Sequence, residues 1–436
     1  MADRRWTWIL LFGVAMAPLI EDCRIEKFFS ADGAAYFSSV LEDGKFTDIA
    51  WSRNHANYLV QWPLVWAVRA GVTDWRWLEA LFGAGLLLPH VLGFALALVA
   101  RRGLPAWPLV FPIASLLTIN LSSSYLMVCE HHVAAALAWP IAFFALRPGA
   151  YARWELLIIA ALLVANIRLY ECAVLTGPVF AVLFAIRRSP SAGLRAAHLV
   201  FAALCLVSAY IAAQWILFPR DPANRQSFLG ALVQPLGSSQ FVTDLLFLAP
   251  FLFSLWKGRD RIAWVGLVAS AGAAAIALSA VAFVVGPWRL GPVTAGTSFG
   301  CRTLSITLLP LLLVVAAWLI ERGIAFSAGQ FRSFALFVVL AGAMSVHGGR
   351  QWAEFRSLAT ETLHTRSGFV PIEETALAGH PCVWNWNNPT LSYLWSGGEV
   401  RAIILNPSGN GWEPFDPRTT AILANYIPRP RFLPPR

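Results

Sequence analysis

The sequence predicts an all-α polytopic membrane bundle of about eleven transmembrane helices that carries a small α/β domain outside the membrane. Three properties of the 436 residues support a membrane fold: 58% are hydrophobic, only 13% are charged, and the mean hydropathy is +0.60. Ordinary soluble domains carry about 25% charged residues. A soluble enzyme, a coiled coil and a disordered chain are therefore excluded, and the lipid bilayer is the first predicted partner.

About eleven apolar stretches are predicted to span the membrane, because each comes close to the roughly 20 residues that a helix needs to cross about 30 Å of hydrocarbon. They make residues 1–346 a transmembrane domain, and residues 347–436 then form a periplasmic C-terminal domain. The predicted spans are Trp6–Ile20, Trp77–Ala100, Trp107–Leu121, Tyr125–Leu146, Leu156–Ile167, Cys172–Ile186, Ala196–Phe218, Phe241–Leu255, Ile262–Val285, Thr303–Ile320 and Phe334–Val346.

Short clusters of basic residues set the predicted orientation. They occur in alternate connections, for example at Arg4–Arg5, Arg101–Arg102, Arg187–Arg188 and Lys257, and short positive loops face the cytoplasm. The N-terminus is then cytoplasmic, the tail is periplasmic, and the chain is a multi-pass protein of the bacterial inner membrane. These loops also account for the net charge of +9, so no nucleic-acid partner is predicted.

Two segments outside the spans are too long to be turns. Residues 21–76 form a large periplasmic loop with two stretches that are expected to lie along the membrane interface, Ala35–Leu41 and Tyr58–Val68. In the tail, Val383–Trp386 and Val400–Leu405 have the composition of short strands. The two strands are the reason for predicting a small α/β domain there.

Asp32 is the candidate catalytic residue. It lies in the first periplasmic loop, in the sequence Ser30-Ala31-Asp32-Gly33, directly before an amphipathic stretch. An ionised carboxylate in this position can accept the proton of an attacking hydroxyl group. An aspartate directly before a helix is also typical of an N-cap, so the sequence leaves both roles open.

Further polar residues gather near the outer ends of the predicted spans, where ionisable side chains are costly and often functional. Arginines there can bind a lipid phosphate through forked donors, and imidazole, phenol and carboxylate groups can hydrogen-bond sugar hydroxyls. Structural alternatives stay open, namely solvated loops, polar packing, local salt bridges and arginines that reach to the interface. The candidate substrate-binding residues are Arg53, His55, Tyr58, Glu130, His131, Arg168, Tyr170, Glu171, Arg289 and Arg302.

No metal site is predicted. Glu130, His131 and His132 are adjacent in the sequence, so they do not share one face of a helix, and no third ligand follows at helical spacing. The sequence contains no HExxH motif, no CxxC pair and no Gly-rich phosphate loop. The chain is therefore predicted to use no cofactor, with a divalent metal left open.

An early span, a large outer loop with an early aspartate, many further spans and an outer C-terminal domain together resemble the GT-C glycosyltransferases. The resemblance is closest to bacterial relatives of protein mannosyltransferases and lipid-A aminoarabinose transferases. Those proteins often have an acidic residue followed by an aromatic one, as from Asp32 to Tyr36, and an arginine that leads into a late Leu/Pro-rich span, as at Arg302. The family usually has Asp-Glu and Arg-Tyr where this chain has Asp32-Gly33 and Arg302-Thr303.

The resemblance implies an integral membrane enzyme that transfers a sugar from a polyprenyl-phosphate-linked donor to a glycan, lipid or protein acceptor at the periplasmic face. It implies that Asp32 is the general base. Arg302, with Arg289 or Arg168, would neutralise the departing lipid phosphate, and the other candidates would line the cavity.

Two other functions remain open from the sequence. A transporter or flippase of polyprenyl-linked glycans would carry charged residues deep within its spans. The sequence offers His90 and His198 at such depths but almost no carboxylate. A non-catalytic membrane subunit of an envelope glycan complex would leave the polar residues at the outer span ends without a role.

Overall fold

The computed structural model describes residues 5–47, 53–128, 130–187, 191–218, 234–283, 295–384, 387–396, 399–405, 423 and 426. Over these residues the protein is nearly all α-helical, with one sheet of two strands. The elements are α1 (Arg5–Arg24), α2 (Gly33–Asp43), α3 (Asn54–Arg69), α4 (Trp75–Ala100), α5 (Val110–Ser115), α6 (Glu130–Leu146), α7 (Arg153–Asn166), α8 (Ala173–Ile186), α9 (Ala192–Leu217), α10 (Ser239–Lys257), α11 (Asp260–Phe283), α12 (Ala295–Glu321), α13 (Ala328–Thr365), β1 (Gly368–Pro371), α14 (Asn388–Trp395) and β2 (Ala402–Leu405). Tighter 3₁₀ turns lie at Lys27–Phe29, Trp107–Leu109, Leu121–Leu126, Gln234–Gly237 and Ile372–Glu374, and a π-helical turn lies at Leu116–Asn120.

Six helices in the described part of the chain are long and apolar enough to cross a membrane: α1, α4, α9, α10, α12 and α13. The predicted number of eleven spans is therefore not confirmed. Helices α7 and α8 contain 14 residues each, which is about 21 Å at 1.5 Å per residue and less than the bilayer core. The predicted span Trp107–Leu121 changes from α-helical to π-helical geometry at Leu116, so it does not form one regular helix.

The basic connections meet at one end of the helix bundle, which we call the basic end. Arg147 Nη1 donates to Glu155 Oε1 across 2.8 Å, and Arg187 Nη2 donates to the Gly149 carbonyl across 2.7 Å. Trp107 stacks on Phe326 with ring centroids 6.2 Å apart, which joins this group to the loop between α12 and α13. The alternation of arginine-rich connections is thus present in the fold. Which end faces the cytoplasm stays a prediction.

The two strands lie in the tail. They pair in parallel, with Gly368 opposite Ala402 and Pro371 opposite Leu405, so the strand predicted at Val400–Leu405 agrees with β2. The strand predicted at Val383–Trp386 is wrong over residues 383–384, which are irregular, and its last two residues lie outside the described part. Its true counterpart, β1, was missed because a four-residue strand that begins with Gly and ends with Pro has no strand-like pattern.

The tail is tied to the rest of the chain by α13, which continues without a break through the predicted domain boundary at residue 346. Whether the tail is a domain of its own stays a prediction. Tyr125 donates to the Cys382 carbonyl across 2.6 Å, and Asn387 Nδ2 donates to the Phe29 carbonyl across 2.7 Å. The tail therefore packs against the segment that precedes Asp32, at the end of the bundle opposite the basic end, which we call the site end.

Candidate functional site

Asp32 is held in a tight turn between the 3₁₀ turn Lys27–Phe29 and helix α2. Ala31 adopts a left-handed conformation with φ of 49°. A Cβ atom on Gly33 would lie 1.7 Å from the Phe28 carbonyl oxygen, so only glycine fits at this position. The Ser30 hydroxyl donates to the Tyr125 carbonyl. These contacts fix the direction in which the Asp32 side chain leaves the backbone.

The Asp32 carboxylate does not cap α2. The residue occupies the N-cap position, but its φ and ψ are −77° and −11°, and its side chain makes no capping hydrogen bond. Its Oδ1 atom is buried and has no hydrogen-bond partner among the described residues. The structural alternative that the sequence left open, an N-cap, is thus not what the carboxylate does in this fold. A buried acceptor without a partner calls for an explanation, and a reacting or ligand hydroxyl supplies one.

Four environmental effects act on this carboxylate, which lies outside the membrane-spanning helices. Burial raises the pKa of Asp32 from its ordinary 3.8 to about 6, while the guanidinium of Arg302 lowers it, the carboxylate of Glu130 raises it and Arg53 lowers it again. The group is ionised at pH 7 and has a pKa near the operating pH, as an efficient general base requires. Asp32 therefore acts electrostatically within a cluster of two arginines and a glutamate.

Arg53 links the start of α3 to the turn between α7 and α8. Its Nε donates to Glu171 Oε1 across 2.7 Å, and its Nη1 lies 3.6 Å from Glu130 Oε2. The Glu171 Oε2 atom is buried and has no hydrogen-bond partner among the described residues. One guanidinium thus bridges two buried carboxylates and brings three separate helices together.

Arg302 approaches the same carboxylate from α12. Its Nη2 lies 3.9 Å from Glu130 Oε2, and its Nε donates to the Tyr170 hydroxyl across 3.2 Å. The Tyr170 ring lies between the two arginines, with guanidinium carbons 5.8 Å (Arg302) and 5.4 Å (Arg53) from its centroid. Tyr36 donates to Glu130 Oε1 across 3.1 Å. Glu130 is therefore the central acceptor of the cluster, and it holds both guanidinium groups near each other.

The structure thus brings together six of the sequence-predicted residues, and we call this group the site cluster. Its members come from the first loop and from three other parts of the chain, and they all lie at the site end of the bundle. A guanidinium offers five N–H donors in a planar fork, a geometry that suits carboxylate and phosphate oxygens alike. The cluster thus combines two groups that can bind an anion with carboxylates that can accept a proton. The members are Asp32, Arg53, Glu130, Tyr170, Glu171 and Arg302.

The other predicted residues stand elsewhere or make different contacts. His55 Nδ1 lies 2.9 Å from the Ala165 carbonyl oxygen, and its backbone N–H donates to the Arg168 carbonyl across 3.1 Å. Tyr58 is 43% exposed and packs on Phe46 with centroids 4.9 Å apart. These contacts favour structural roles for His55 and Tyr58.

Arg289 lies outside the described residues, and His131 contacts the site cluster through its ring. The His131 and Tyr170 ring centroids are 5.8 Å apart. His131 Nε2 lies 2.6 Å from Ser123 Oγ, and His132 Nε2 lies 3.0 Å from the same oxygen. Ser123 was missed from the sequence. The available signal was the run of three serines shortly before Glu130.

The first serine of this run, Ser122, reveals a buried carboxylate that the sequence also missed. The Ser122 hydroxyl donates to Asp244 Oδ2 across 3.0 Å, and Gln240 Nε2 lies 3.1 Å from Asp244 Oδ1. Asp244 lies in the membrane-spanning helix α10 and is fully buried. The sequence-based view that the spans hold almost no carboxylate overlooked this residue, which lies within the predicted span Phe241–Leu255 and in the second turn of α10.

The third serine binds another buried pair. Lys27 Nζ lies 3.1 Å from Asp22 Oδ2 and donates to Ser124 Oγ across 2.9 Å. Asp22 and Lys27 are both almost fully buried. Ser122, Ser123 and Ser124 thus contact three different groups, and the backbone angles of Ser123 (φ −114°, ψ 20°) depart from those of a helix.

Neither a metal centre nor a disulfide occurs in the part of the chain that the structure describes. No three or more His, Cys, Asp or Glu side chains are arranged there to hold a metal ion. The five cysteines in those ranges are free. A cavity of about 10 Å³ is lined by Tyr36, Asn57, Glu130 and His132, together with apolar residues. It has room for about one water molecule.

No protein-family model, curated protein or solved structure matches this chain.

Proposed function

We propose that this protein is a membrane glycosyltransferase of the GT-C type that moves a sugar from a polyprenyl-phosphate-linked donor to an acceptor hydroxyl at the site end of the bundle. The observation that carries the proposal is the buried Asp32 Oδ1 atom, which has no hydrogen-bond partner among the described residues and lies in the field of Arg53 and Arg302. A base beside two guanidinium groups matches a reaction that removes a proton and releases a phosphate.

The reaction needs two bonds to change at the sugar. The acceptor oxygen attacks the anomeric carbon, and its proton passes to the Asp32 carboxylate. The bond between the anomeric carbon and the phosphate oxygen breaks, and its electron pair stays on the polyprenyl phosphate. Attack from the face opposite the leaving group inverts the anomeric configuration.

The two arginines supply the charge that this leaving group needs. A guanidinium offers planar, forked donors that match phosphate geometry, and donors preset toward a developing charge are usually the largest catalytic contribution. Glu130 and Glu171 keep Arg53 and Arg302 in place before the substrate arrives. The carboxylates of the site cluster therefore have two different roles, one as base and two in positioning.

The proposal also specifies the cellular location and the membrane orientation of the protein. The protein would be a multi-pass protein of the bacterial inner membrane, with a cytoplasmic N-terminus and with the site end and tail in the periplasm. The arginine-rich basic end supports this orientation. The acceptor would be a glycan, a lipid or a protein of the envelope. The donor carries its sugar on a lipid phosphate, so neither a nucleotide nor a resident cofactor is required.

Transport of a polyprenyl-linked glycan is the second candidate, and Asp244 is the observation that favours it. A fully buried carboxylate in a spanning helix is typical of ion-coupled transport. The site cluster, however, lies at one end of the bundle, and transport does not require a base beside two arginines. Transfer therefore explains more of the polar residues than transport does.

The test compares sugar transfer in membranes that contain each variant at equal protein level, with radiolabelled polyprenyl-phosphate sugars as donors. Asp32→Asn keeps the size of the side chain but removes its basicity, so transfer should fall by about 10²–10⁴-fold. Arg302→Lys keeps the charge but loses the fork, and it should mainly weaken binding of the lipid-phosphate donor.

Asp74→Asn is the matched control. Asp74 is an N-cap whose side chain accepts a hydrogen bond from the Arg76 backbone N–H across 2.9 Å, and asparagine caps about as well. Transfer by this variant should equal that of the wild type. Full transfer by Asp32→Asn would show that Asp32 is not the base. Movement of labelled lipid across vesicles without any transfer would favour the transport candidate.

A further inference from the structure

Ser123 joins two imidazoles through a single oxygen atom beneath the site cluster. Its hydroxyl lies 2.6 Å from His131 Nε2 and 3.0 Å from His132 Nε2, and all three residues are buried. A hydroxyl has one proton to donate and two lone pairs to accept with. When Ser123 donates to one imidazole, the other imidazole can donate its Nε2 proton to Ser123.

This arrangement has two equivalent forms. In one form His131 carries the Nε2 proton and donates it to Ser123 Oγ. In the other form His132 carries the Nε2 proton and donates it to the same oxygen. The forms interconvert when one ring passes its Nε2 proton to the hydroxyl while the hydroxyl passes its own proton to the other ring. No buried charge remains if the first ring takes up a proton at Nδ1 and the second ring releases one at Nδ1.

We call Ser123, His131 and His132 the imidazole unit, and polar groups lie at both of its ends. His131 Nδ1 has no hydrogen-bond partner among the described residues, and the His131 ring faces Tyr170 of the site cluster at 5.8 Å. On the other side, the His132 and His90 ring centroids are 6.1 Å apart, and His90 Nδ1 lies 3.3 Å from Asn120 Nδ2. The unit therefore connects the site cluster with a polar group inside the bundle.

Two small cavities extend this connection. The first, of about 10 Å³, is lined by Glu130 and His132 among others, and the second, of about 20 Å³, is lined by His90, Asn120 and Ser115 among others. Each has room for about one water molecule with polar partners. Water in these cavities would complete a hydrogen-bonded path of groups that can both give and accept a proton.

The charged groups around the unit are mainly positive. Burial of both rings is the main effect that disfavours an imidazolium ion at this place, and positive charges add to it. Arg302 acts on both imidazoles, Arg53 acts on His131 and Lys27 acts on His132. Glu130 is the adjacent acid in α6. A proton can therefore cross the unit only by an exchange that leaves both rings neutral.

We propose that Ser123, His131 and His132 form a proton relay that removes the proton taken up during sugar transfer from the site cluster toward His90. The proposal rests on the proposed function, in which Asp32 accepts this proton from the acceptor hydroxyl. His131 takes the proton at Nδ1 and passes its Nε2 proton to Ser123 Oγ. Ser123 passes its own hydroxyl proton to His132 Nε2, and His132 releases a proton at Nδ1. One proton enters, one leaves, and Asp32 is again ionised for the next turnover.

The alternative to a relay is a fixed hydrogen-bond arrangement of the same three side chains. The Ser123 hydroxyl also lies 2.5 Å from the Ile119 carbonyl oxygen. If it donates only there, both imidazoles donate to Ser123 Oγ and no proton moves between them. The three side chains would then be a buried hydrogen-bond network that stabilises the fold.

The first experiment measures chemical rescue of transfer in membranes. His131→Ala should lower the turnover rate on the order of 10²-fold, and added imidazole should restore a large part of it, because the small base fills the space and carries the proton. His198→Ala is the control, since His198 is a buried histidine packed against Tyr151 and Phe184 near the basic end. That variant should keep its turnover rate, with or without imidazole. Wild-type turnover by His131→Ala, or a loss that imidazole does not restore, would overturn the relay.

The second experiment does not depend on transferase activity. In ¹⁵N-histidine NMR spectra of the full-length protein in nanodiscs, a relay predicts exchange-averaged Nε2 signals for both His131 and His132. Ser123→Ala should abolish the averaging, whereas Ser122→Ala should leave it in place. Two unaveraged Nε2–H signals in the wild type would establish the static network and overturn the proposal. Averaged signals in a protein that transfers no sugar would leave the relay standing and refute the proposed function alone.

Discussion

Arg53 Nε donates to Glu171 Oε1 across 2.7 Å, and this ion pair fastens the start of α3 to the turn between α7 and α8. Both side chains are largely buried, and removal of Arg53 would leave the Glu171 carboxylate without this partner, whereas removal of Glu171 would leave Arg53 paired with Glu130. Loss of one partner from a buried pair typically costs about 3–5 kcal/mol, and the second partner should reduce that cost for Glu171. The pair therefore holds the site cluster together.

The pH dependence of transfer should follow the ionisation of Asp32. Burial, as the largest effect, raises the pKa of Asp32 to about 6, and a general base acts only when it is ionised. The rate should therefore rise with pH and reach half of its maximum near pH 6, as measured by initial rates between pH 4.5 and 8. The residual rate of Asp32→Asn should lack this transition. A midpoint near pH 4 in the wild type would mean that a solvated carboxylate is the base.

Gly33→Ala should displace the catalytic turn. The added carbon would lie 1.7 Å from the Phe28 carbonyl oxygen, so the backbone beside Asp32 must move. We expect a loss of roughly 1–3 kcal/mol in stability, together with reduced transfer, as measured by thermal unfolding in detergent and by the membrane assay. Gly13→Ala is the control, because no atom lies within 4 Å of the added carbon there. Equal behaviour of the two variants would contradict the fixed geometry of the turn.

The tail should lose stability in mild acid through His380. Its Nδ1 accepts a hydrogen bond from the Cys382 backbone N–H across 3.1 Å, and protonation of that nitrogen breaks the bond. Burial lowers the pKa of His380 from 6.5 to about 4, so between these values the unfolded chain binds more protons than the folded one. Stability should therefore fall as the pH decreases from about 6.5 to 4.

His380→Asn separates this effect from other titrations. An asparagine side chain can accept a hydrogen bond from the backbone N–H two residues on, and it has no charge to gain. The melting temperature of this variant should depend less on pH than that of the wild type over the same range. An unchanged pH dependence would assign the effect to another group.

Reporter fusions test the orientation. The basic end gathers the arginine-rich connections, and α13 leads away from it into the tail, so the two ends should face opposite compartments. A fusion after Arg102 should give a cytoplasmic signal, and a fusion after Arg366 should give a periplasmic signal. The same compartment for both fusions would contradict the bundle topology.

Apolar length and composition predict a nearly all-α chain with membrane-spanning helices, since both are local signals. The predicted interfacial stretches Ala35–Leu41 and Tyr58–Val68 lie within α2 and α3. The number of spans was less predictable, because an apolar stretch does not reveal where tertiary packing shortens a helix, as in α7 and α8. The parallel strand β1 was not predictable either, because its partner β2 lies more than 30 residues further along the chain.

The site was predictable only in part, for a similar reason. Asp32 and Arg302 were chosen by local position and resemblance, whereas the contact between Arg53 and Glu171 joins residues that no local pattern relates. Ser123 gave only the weak signal of a run of three serines, and serine is common in buried turns. Its role depends on two histidines that follow in the next helix, and their distance from Ser123 Oγ follows from the fold alone.

The three serines of the 3₁₀ turn Leu121–Leu126 have a consequence for how this chain can vary. Ser122 contacts Asp244, Ser123 contacts the two histidines, and Ser124 contacts Lys27. One inserted or deleted residue before Ser122 would change the direction of all three side chains and move each away from its partner. Point substitutions can remove these contacts one at a time, but a change in length removes all three at once. The spacing of this segment is therefore a stricter constraint on related chains than the identity of any residue within it.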